Sequence, residues 1–370
     1  MELREKAFDC EGKKDFMKNI VILGGGYGGL TVVTELLDKD LPDDTEIILV
    51  DRMPFQGLKT EYYALASGTL SDIDIRAPFP KDPRLHLKFA EISEIHLENK
   101  QVHFEDGDSV IYDILIISLG CIDNYHGIPG AALFTNSIQT FSSTRRTYQQ
   151  INDIKPYGQV TIVGSGLSGV EMASELRESR TDLNIRIIDR GSSVLSAFPE
   201  KLQVYVKSWF TENHVEMKMN VSLSAVEQYK LYNKNEIINT DVTLWTAGIQ
   251  PSPVVQKLAL TKDPQGRIII NEYHQIPAYP DVYVVGDCAS LPFSPSGQLA
   301  EAQGKQVAEV IQAQWEGKIP KLGQIKLKGV LGSLGKKNGF GLMGGRTLVL
   351  GRVPRLLKSG VLWMSKHHLG

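Results

Sequence analysis

Apolar residues occur in short runs that each end at a glycine cluster or an acid, and between them lie stretches with helical spacing. Lys18–Leu23 is a strand-sized run that ends in Gly24-Gly25-Gly26-Tyr27-Gly28-Gly29. Leu30–Leu37 then has its apolar positions at helical intervals, and the next run, Ile47–Val50, ends at Asp51. At an offset of 140 the pattern returns: Gln159–Val163, Gly164-Ser165-Gly166-Leu167-Ser168-Gly169, helical Val170–Arg177, and Ile185–Ile188 ending at Asp189. Each unit predicts strand, tight turn, helix, strand and acid, with the acid 22 and 20 residues past the third glycine. Leu87–Ile95, Lys100–Phe104 and Val110–Ser118 predict a β-meander turning at Glu98-Asn99 and Asp106-Gly107 and ending in Ser118-Leu119-Gly120. In the second unit Ser222–Leu231 and Asp241–Thr246 predict strands around an Asn233–Asn235 turn, ending in Thr246-Ala247-Gly248. A helix over Gln298–Gln314 follows Gly286-Asp287.

The glycine spacing has a physical reason. The first glycine permits the tight turn, the second lets backbone approach a pyrophosphate, and the third lets helix and strand pack closely. The helix N-terminus offers free N–H groups to the phosphates, and the acid can accept from a ribose. The expected fold class is therefore α/β, with two Rossmann-like dinucleotide-binding domains, each carrying a β-meander, and a basic C-terminal segment. Two such sites in one chain imply two cofactors that exchange electrons: a diffusible nicotinamide and a bound flavin.

The 370 residues are 42% apolar and 22% charged, which fits a globular protein of two domains. No apolar stretch approaches the ~20 residues that span a bilayer. The first sixteen residues are mixed in charge and lack the apolar core of a signal peptide, so they read as a tail. Cys10, Cys121 and Cys288 form no CxxC or CxxxxC pair and no zinc-like cluster, which argues for reduced thiols in the cytoplasm and against a bound metal. The net charge of −3 hides an asymmetry: from Lys321 on there are seven Lys, three Arg and no acid, whereas the first 320 residues carry 30 basic and 43 acidic. Val353, Leu356, Leu357, Val361 and Met364 recur there at helical spacing, with Arg352, Arg355 and Lys366 on another face. A segment of this kind can lie on an anionic membrane surface, at ~1 kcal/mol per basic residue. No nucleic-acid partner is expected.

Four stretches carry a family resemblance: Ile22–Leu30 (ILGGGYGGL), Val163–Leu176 (VGSGLSGVEMASEL), Leu244–Gly248 (LWTAG) and Asp281–Ala289 (DVYVVGDCA). Val194–Leu202 (VLSAFPEKL) is a fifth. With them the chain resembles, from Asn19 to about Gln314, the two-dinucleotide-binding-domain flavoproteins, and among these the type II NADH dehydrogenases, which are NADH:quinone oxidoreductases. The resemblance implies that Gly24, Gly26, Tyr27, Gly28, Gly29 and Asp51, with neighbouring Arg52, hold the ADP half of FAD. Gly164, Gly166, Gly169 and Asp189 would hold NADH, and Gly286-Asp287 would face the ribityl and phosphate of the flavin. Gly120, Gly248 and Lys59 complete the expected cofactor-binding set. Like-charge repulsion between Asp189 and a 2′-phosphate favours NADH over NADPH, although Arg190 follows it.

Glu171 is the residue that distinguishes the second glycine helix from the first, where Thr31 stands, and the resemblance implies that it lies near the nicotinamide and flavin rings. The family's quinone helix carries an AQxAxQQ-type sequence. Here it reads Gly297-Gln298-Leu299-Ala300-Glu301-Ala302-Gln303, with Gln298 and Gln303 as acceptor-side residues and departures at Gly297 and Ala302. The expected domains are a tail over 1–16, FAD-binding over 17–125 and 265–320, NAD(H)-binding over 126–264, and the basic segment over 321–370. The expected function is hydride transfer from NADH to FAD, then two electrons to a menaquinone or ubiquinone. Cytoplasmic location, with peripheral attachment to the inner face of the cell membrane, and a homodimer go with it. Two alternatives stay open: an NAD(H)-sensing flavoprotein with weak quinone activity, and a reductase of a small electron-carrier protein.

Overall fold

The computed structural model describes residues 17–39 and 41–367, so the expected tail over 1–16 and Cys10 lie outside the described residues. In chain order the first unit comprises β1 (Lys18–Leu23), α1 (Tyr27–Leu37), β2 (Thr45–Asp51), the short helix α2 (Tyr62–Ala66), β3 (Leu85–Phe89), β4 (Ile114–Ile117) and β5 (Cys121–Asp123). The second comprises β6 (Gln159–Val163), α3 (Leu167–Ser179), β7 (Asn184–Ile188), β8 (Val215–Lys218), β9 (Val242–Trp245) and β10 (Ile249–Pro251). The chain then returns through β11 (Tyr279–Val284) and α4 (Gly297–Trp315). It ends in β12 (Gly329–Leu334), β13 (Asn338–Met343), β14 (Thr347–Gly351) and α5 (Arg352–His367).

In the first sheet β1 lies between β2 and β4, with β3 outside β2 and β11 outside β4, all parallel, and the short strand Gln275–Ile276 pairs antiparallel at the edge beyond β11. In the second, β6 lies between β7 and β9, with β8 outside β7, again parallel. Strands covered on both faces read as unbroken apolar runs rather than alternating ones, which is why Ile20–Leu23 and Ile162 are buried throughout. In both sheets the chain reverses its direction of growth at the central strand. The crevice at such a switch point, beyond the carboxyl ends of the strands, is where open α/β sheets bind ligands.

The glycines set this geometry. Gly24 and Gly164 have φ of +98° and +103°, and a Cβ on either would meet the carbonyl oxygen of Ser118 at 2.4 Å or of Thr246 at 2.7 Å. A Cβ on Gly29 would lie 2.1 Å from the Gly24 oxygen, and one on Gly169 1.9 Å from the Gly164 oxygen. The repeat extends to the fourth strand of each unit, β4 and β9: the Ser118 hydroxyl accepts from Gly29 N–H at 2.9 Å, and the Thr246 hydroxyl donates to Val163 O at 2.9 Å.

The expected meanders are only partly as read. Leu87–Ile95 divides between β3 and a separate strand Ile92–His96, and Val110–Ser118 divides between Ser109–Ile111 and β4. The main sheet recaptures the chain at Asp113, whose N–H donates to Asn19 O and whose carboxylate accepts from Asn19 N–H at 2.8 Å. Ser222–Leu231 likewise breaks at Tyr229, which has φ +66°. The antiparallel sheet β12–β13–β14 has no counterpart in the sequence reading. Its glycines make room for packing: a Cβ on Gly332 would lie 2.2 Å from the Phe340 ring, which is 1% exposed. Among the described residues no helix is long and apolar enough to cross a membrane.

Gly169→Ala forces a methyl into backbone that has no flexible side chain to yield. It should cost about 1–3 kcal/mol or more, seen as a lowered thermal midpoint, and an unchanged midpoint would refute the packing argument.

Candidate functional site

The two crevices present matching cradles. Nothing lies within 4 Å of a Cβ built on Gly26 or Gly166, the second glycine of each motif. Helices α1 and α3 begin immediately after, and neither N-cap glycine supplies a capping side chain. At the strand ends, Asp51 accepts from Gly25 N–H at 2.7 Å and Met53 N–H at 2.8 Å. Asp189 accepts from Ser165 N–H at 2.6 Å and Gly191 N–H at 2.7 Å. Burial pushes the Asp51 carboxyl up despite these donors. Open space beside the second glycine, uncapped amides and a pinned acid are the features a dinucleotide needs, and both cradles have them. Arg52 points away, into a surface pair with Glu91 at 3.4 Å.

Between the cradles the sequels of the two units meet. Gly120 (φ +62°) leads into β5 and Gly248 (φ +138°) into β10, and these strands pair antiparallel from Cys121–Pro251 to Asp123–Ile249. Here the Lys59 ammonium lies 3.2 Å from Cys121 Sγ and 3.9 Å from Asp287, and the Cys121 thiol donates to Asp287 at 2.9 Å. Burial pushes the Cys121 thiol up to about 12, so it acts as a donor, not as a thiolate nucleophile. Burial alone would lower Lys59, but Cys121 and Asp287 outweigh it and raise it. Cys288 is fully buried and donates to Gly120 O at 3.1 Å. Both described cysteines are free. Asp123, 3% exposed, is raised to about 6 by burial.

Gly286 has φ +74° and its N–H donates to Gln303 Oε1 at 2.9 Å. Gln303, expected on the acceptor side, is fully buried behind this turn and braces it. Gln298 accepts from Lys328 N–H at 2.8 Å, tying α4 to the segment before β12. The departure at Gly297 has a local cause: the Tyr27 ring lies over it, 3.1 Å from where a Cβ would stand, and the Tyr27 hydroxyl meets Thr60 at 3.0 Å.

Glu171 belongs to a buried charge cluster that sequence reasoning missed. Its Oε1 accepts from Ser333 N–H at 2.8 Å and from Lys358 Nζ at 2.5 Å. Lys358 also donates to the Tyr63 hydroxyl at 2.9 Å and lies 3.9 Å from Glu61, while Tyr63 donates to Glu61 at 3.3 Å. Burial alone would lower Lys358, but Glu171, Tyr63 and Glu61 together raise it, so it stays charged. The ammonium sits closest to one of the two carboxylates, and Arg355 also acts on Glu61. Glu171 touches the ammonium, and burial pushes Glu61, the more distant acid, up towards its protonated form. The only sequence signal was Lys358 interrupting the helical pattern of α5. In that helix Val353, Leu356 and Leu357 are exposed and Lys358 points inward; the side chains of Val361, Met364 and Lys366 lie outside those described.

A profile described as pyridine nucleotide-disulphide oxidoreductase matches residues 18–317, and the chain belongs to that family. It is an oxidoreductase of the NADH dehydrogenase-like kind: it is 53% identical over 356 residues to the NADH dehydrogenase-like protein YutJ of Bacillus subtilis, covering 96% of this chain and 100% of that one. It is 23% identical over 368 residues to a type II NADH:quinone oxidoreductase of Staphylococcus saprophyticus, covering 90% and 91%. Its fold matches NDH2 from Plasmodium falciparum in complex with NADH, with a TM-score of 0.81 at 16% identity and coverage of 95% and 97%.

Two outcomes follow. Gly166→Ala should leave the thermal midpoint unchanged and raise the KM for the pyridine nucleotide about tenfold by filling the space a pyrophosphate would approach; an unchanged KM would count against the cradle. Asp123, raised from about 3.9 unfolded to about 6 folded, makes stability fall as pH rises from about 4 to 6, by about 3 kcal/mol. Asp123→Asn should flatten that slope in thermal melts, and a slope equal to wild type would place its origin elsewhere.

Proposed function

We propose that the protein passes a hydride from NADH to FAD and then two electrons to a quinone, without pumping protons. When bound, FAD supplies the two-electron relay between a hydride donor and the acceptor. The first cradle, from Gly24 to Gly29 with Asp51, holds the ADP half of FAD, and Gly286-Asp287 faces its ribityl and phosphate. Lys59, fixed by Cys121 and Asp287, gives that side of the site a positive charge. The second cradle, from Gly164 to Gly169 with Asp189, holds NADH. Likeness to YutJ and to a type II NADH:quinone oxidoreductase supports this reading.

The observation that carries the acceptor assignment is the Glu171–Lys358–Tyr63–Glu61 cluster. Making a quinol from NADH, a quinone and one solvent proton requires that proton to be delivered where water is scarce. Glu61 is pushed towards holding a proton, Tyr63 hydrogen-bonds to both Glu61 and Lys358, and Lys358 contacts Glu171. Such a chain can hold and relay a proton without a net buried charge. Gln298 and Gln303 contribute by bracing: one ties α4 to the C-terminal segment and the other supports the Gly286 turn. The exposed Val353, Leu356 and Leu357, on a segment rich in Lys and Arg, suit a helix that rests on an anionic membrane where quinones dissolve.

The test is stopped-flow mixing of FAD-loaded protein with NADH, following flavin absorbance near 450 nm, then adding a soluble quinone. Fast bleaching and fast recovery are expected. In the Lys358→Met/Glu171→Gln double variant, which leaves no unpaired charge at these two positions, bleaching should stay within a fewfold of wild type while recovery slows about tenfold or more. Bleaching without recovery in the wild type would overturn the quinone assignment, and unimpaired recovery in the variant would overturn the relay.

A further inference from the structure

Comparison of the two repeats isolates one side chain. In each, the N–H of the residue after the first glycine donates to the strand-end acid: Gly25 to Asp51 at 2.7 Å and Ser165 to Asp189 at 2.6 Å. The first repeat admits no side chain there, since a Cβ on Gly25 would lie 2.6 Å from the Phe79 ring. The second carries Ser165, whose hydroxyl donates to the same Asp189 oxygen at 2.9 Å. Gly191 N–H holds the other oxygen at 2.7 Å. Ser165 is 2% exposed, and its own carbonyl accepts from Leu195 N–H at 2.9 Å, so the donor is itself fixed. The Asp189 backbone is pinned too, its N–H donating to Lys218 O and its carbonyl accepting from Val221 N–H.

We propose that Ser165 is a positioning residue that holds the Asp189 carboxylate in place against a 2′-phosphate, making the second cradle select NADH over NADPH. This rests on the reading of Asp189 given above. An aspartate excludes a 2′-phosphate only while its charge stays where that phosphate would go, since a carboxylate free to rotate can swing aside and let the larger nucleotide in. Three donors, two of them fixed backbone amides, make that rotation costly. The hydroxyl is the one of the three that a substitution can remove. Arg190, the next residue, is exposed and makes no hydrogen bond to Asp189 among the described residues, so a charge able to welcome a phosphate stands beside the clamp. The clamp decides which of the two neighbouring charges a nucleotide meets.

The experiment is calorimetric titration of the FAD-loaded full chain with NAD⁺ and with NADP⁺, alongside flavin-bleaching kinetics with NADH and NADPH. Ser165→Ala and Ser165→Gly, the latter copying the first repeat, should each lower the Kd ratio of NADP⁺ to NAD⁺ roughly three- to tenfold. The same ratio of KM values should fall with it. Asp189→Asn should lower the ratio at least as far. A collapsed ratio in Asp189→Asn with wild-type ratios in both Ser165 variants would overturn the role of Ser165 and leave Asp189 standing. Unchanged ratios in all three would overturn the reading of Asp189 itself. Equal weakening of both nucleotides, with a lowered thermal midpoint, would reduce Ser165 to a structural residue and overturn the proposal.

Discussion

The structure depends on how closely a helix can approach the turn that precedes it. In each unit the third glycine packs against the carbonyl oxygen of the first, leaving no room for a β-carbon. That contact fixes where the helix N-terminus points, and therefore where a phosphate can be met by unpaired amides. The same closeness brings β4 or β9 alongside, so that Ser118 and Thr246 fasten the turns with their hydroxyls. The antiparallel pair β5–β10 then joins the two units just beyond the ends of β4 and β9. A steric constraint at two backbone positions thus sets the relation between two nucleotide crevices.

A second constraint acts on charge. Lys358, Glu171 and Glu61 come from a C-terminal helix, a helix of the second unit and the loop before α2, and none could be buried alone. Each lessens the burial penalty on the others, so the basic segment is tied to the body through a buried ionic cluster. Glu178, two turns along α3 from Glu171, accepts from Lys336 N–H at 2.6 Å and adds a second tether on the same helix. The outward direction of Val353, Leu356 and Leu357 is the reverse of an ordinary surface helix, and it follows from giving the inward face to Lys358 and Pro354.

Much of this was legible in the sequence because glycine has few uses that demand such spacing. Both cradles, both acids, the long helix α4 and the C-terminal helix were readable from periodicity and turn chemistry. The meander boundaries were not, since β3 and β4 belong to the parallel sheet yet continue almost directly into the meander, and apolar runs do not mark where a chain changes sheet. The three-stranded C-terminal sheet was hidden because its glycines look like loop residues; only in three dimensions does Gly332 become the floor beneath Phe340. The charge cluster was hidden because its members are 110 and 187 residues apart from Glu171 in the chain. Gln298 and Gln303 stood out by type, but their partners are backbone N–H groups, which no side-chain pattern reveals.

The first parallel sheet is interrupted in sequence. Its outer strands Gln275–Ile276 and β11, and the helix α4 that covers α1, come from residues 275–315, after the whole second unit. The contact between these helices is close, for a Cβ on Gly304 would lie 2.7 Å from the Gly28 oxygen. On a ribosome the second parallel sheet is complete once β9 is made, while the first still lacks two strands and a covering helix. The nascent chain therefore completes its second parallel sheet before its first, and the first cradle gains its outer wall only when synthesis passes α4.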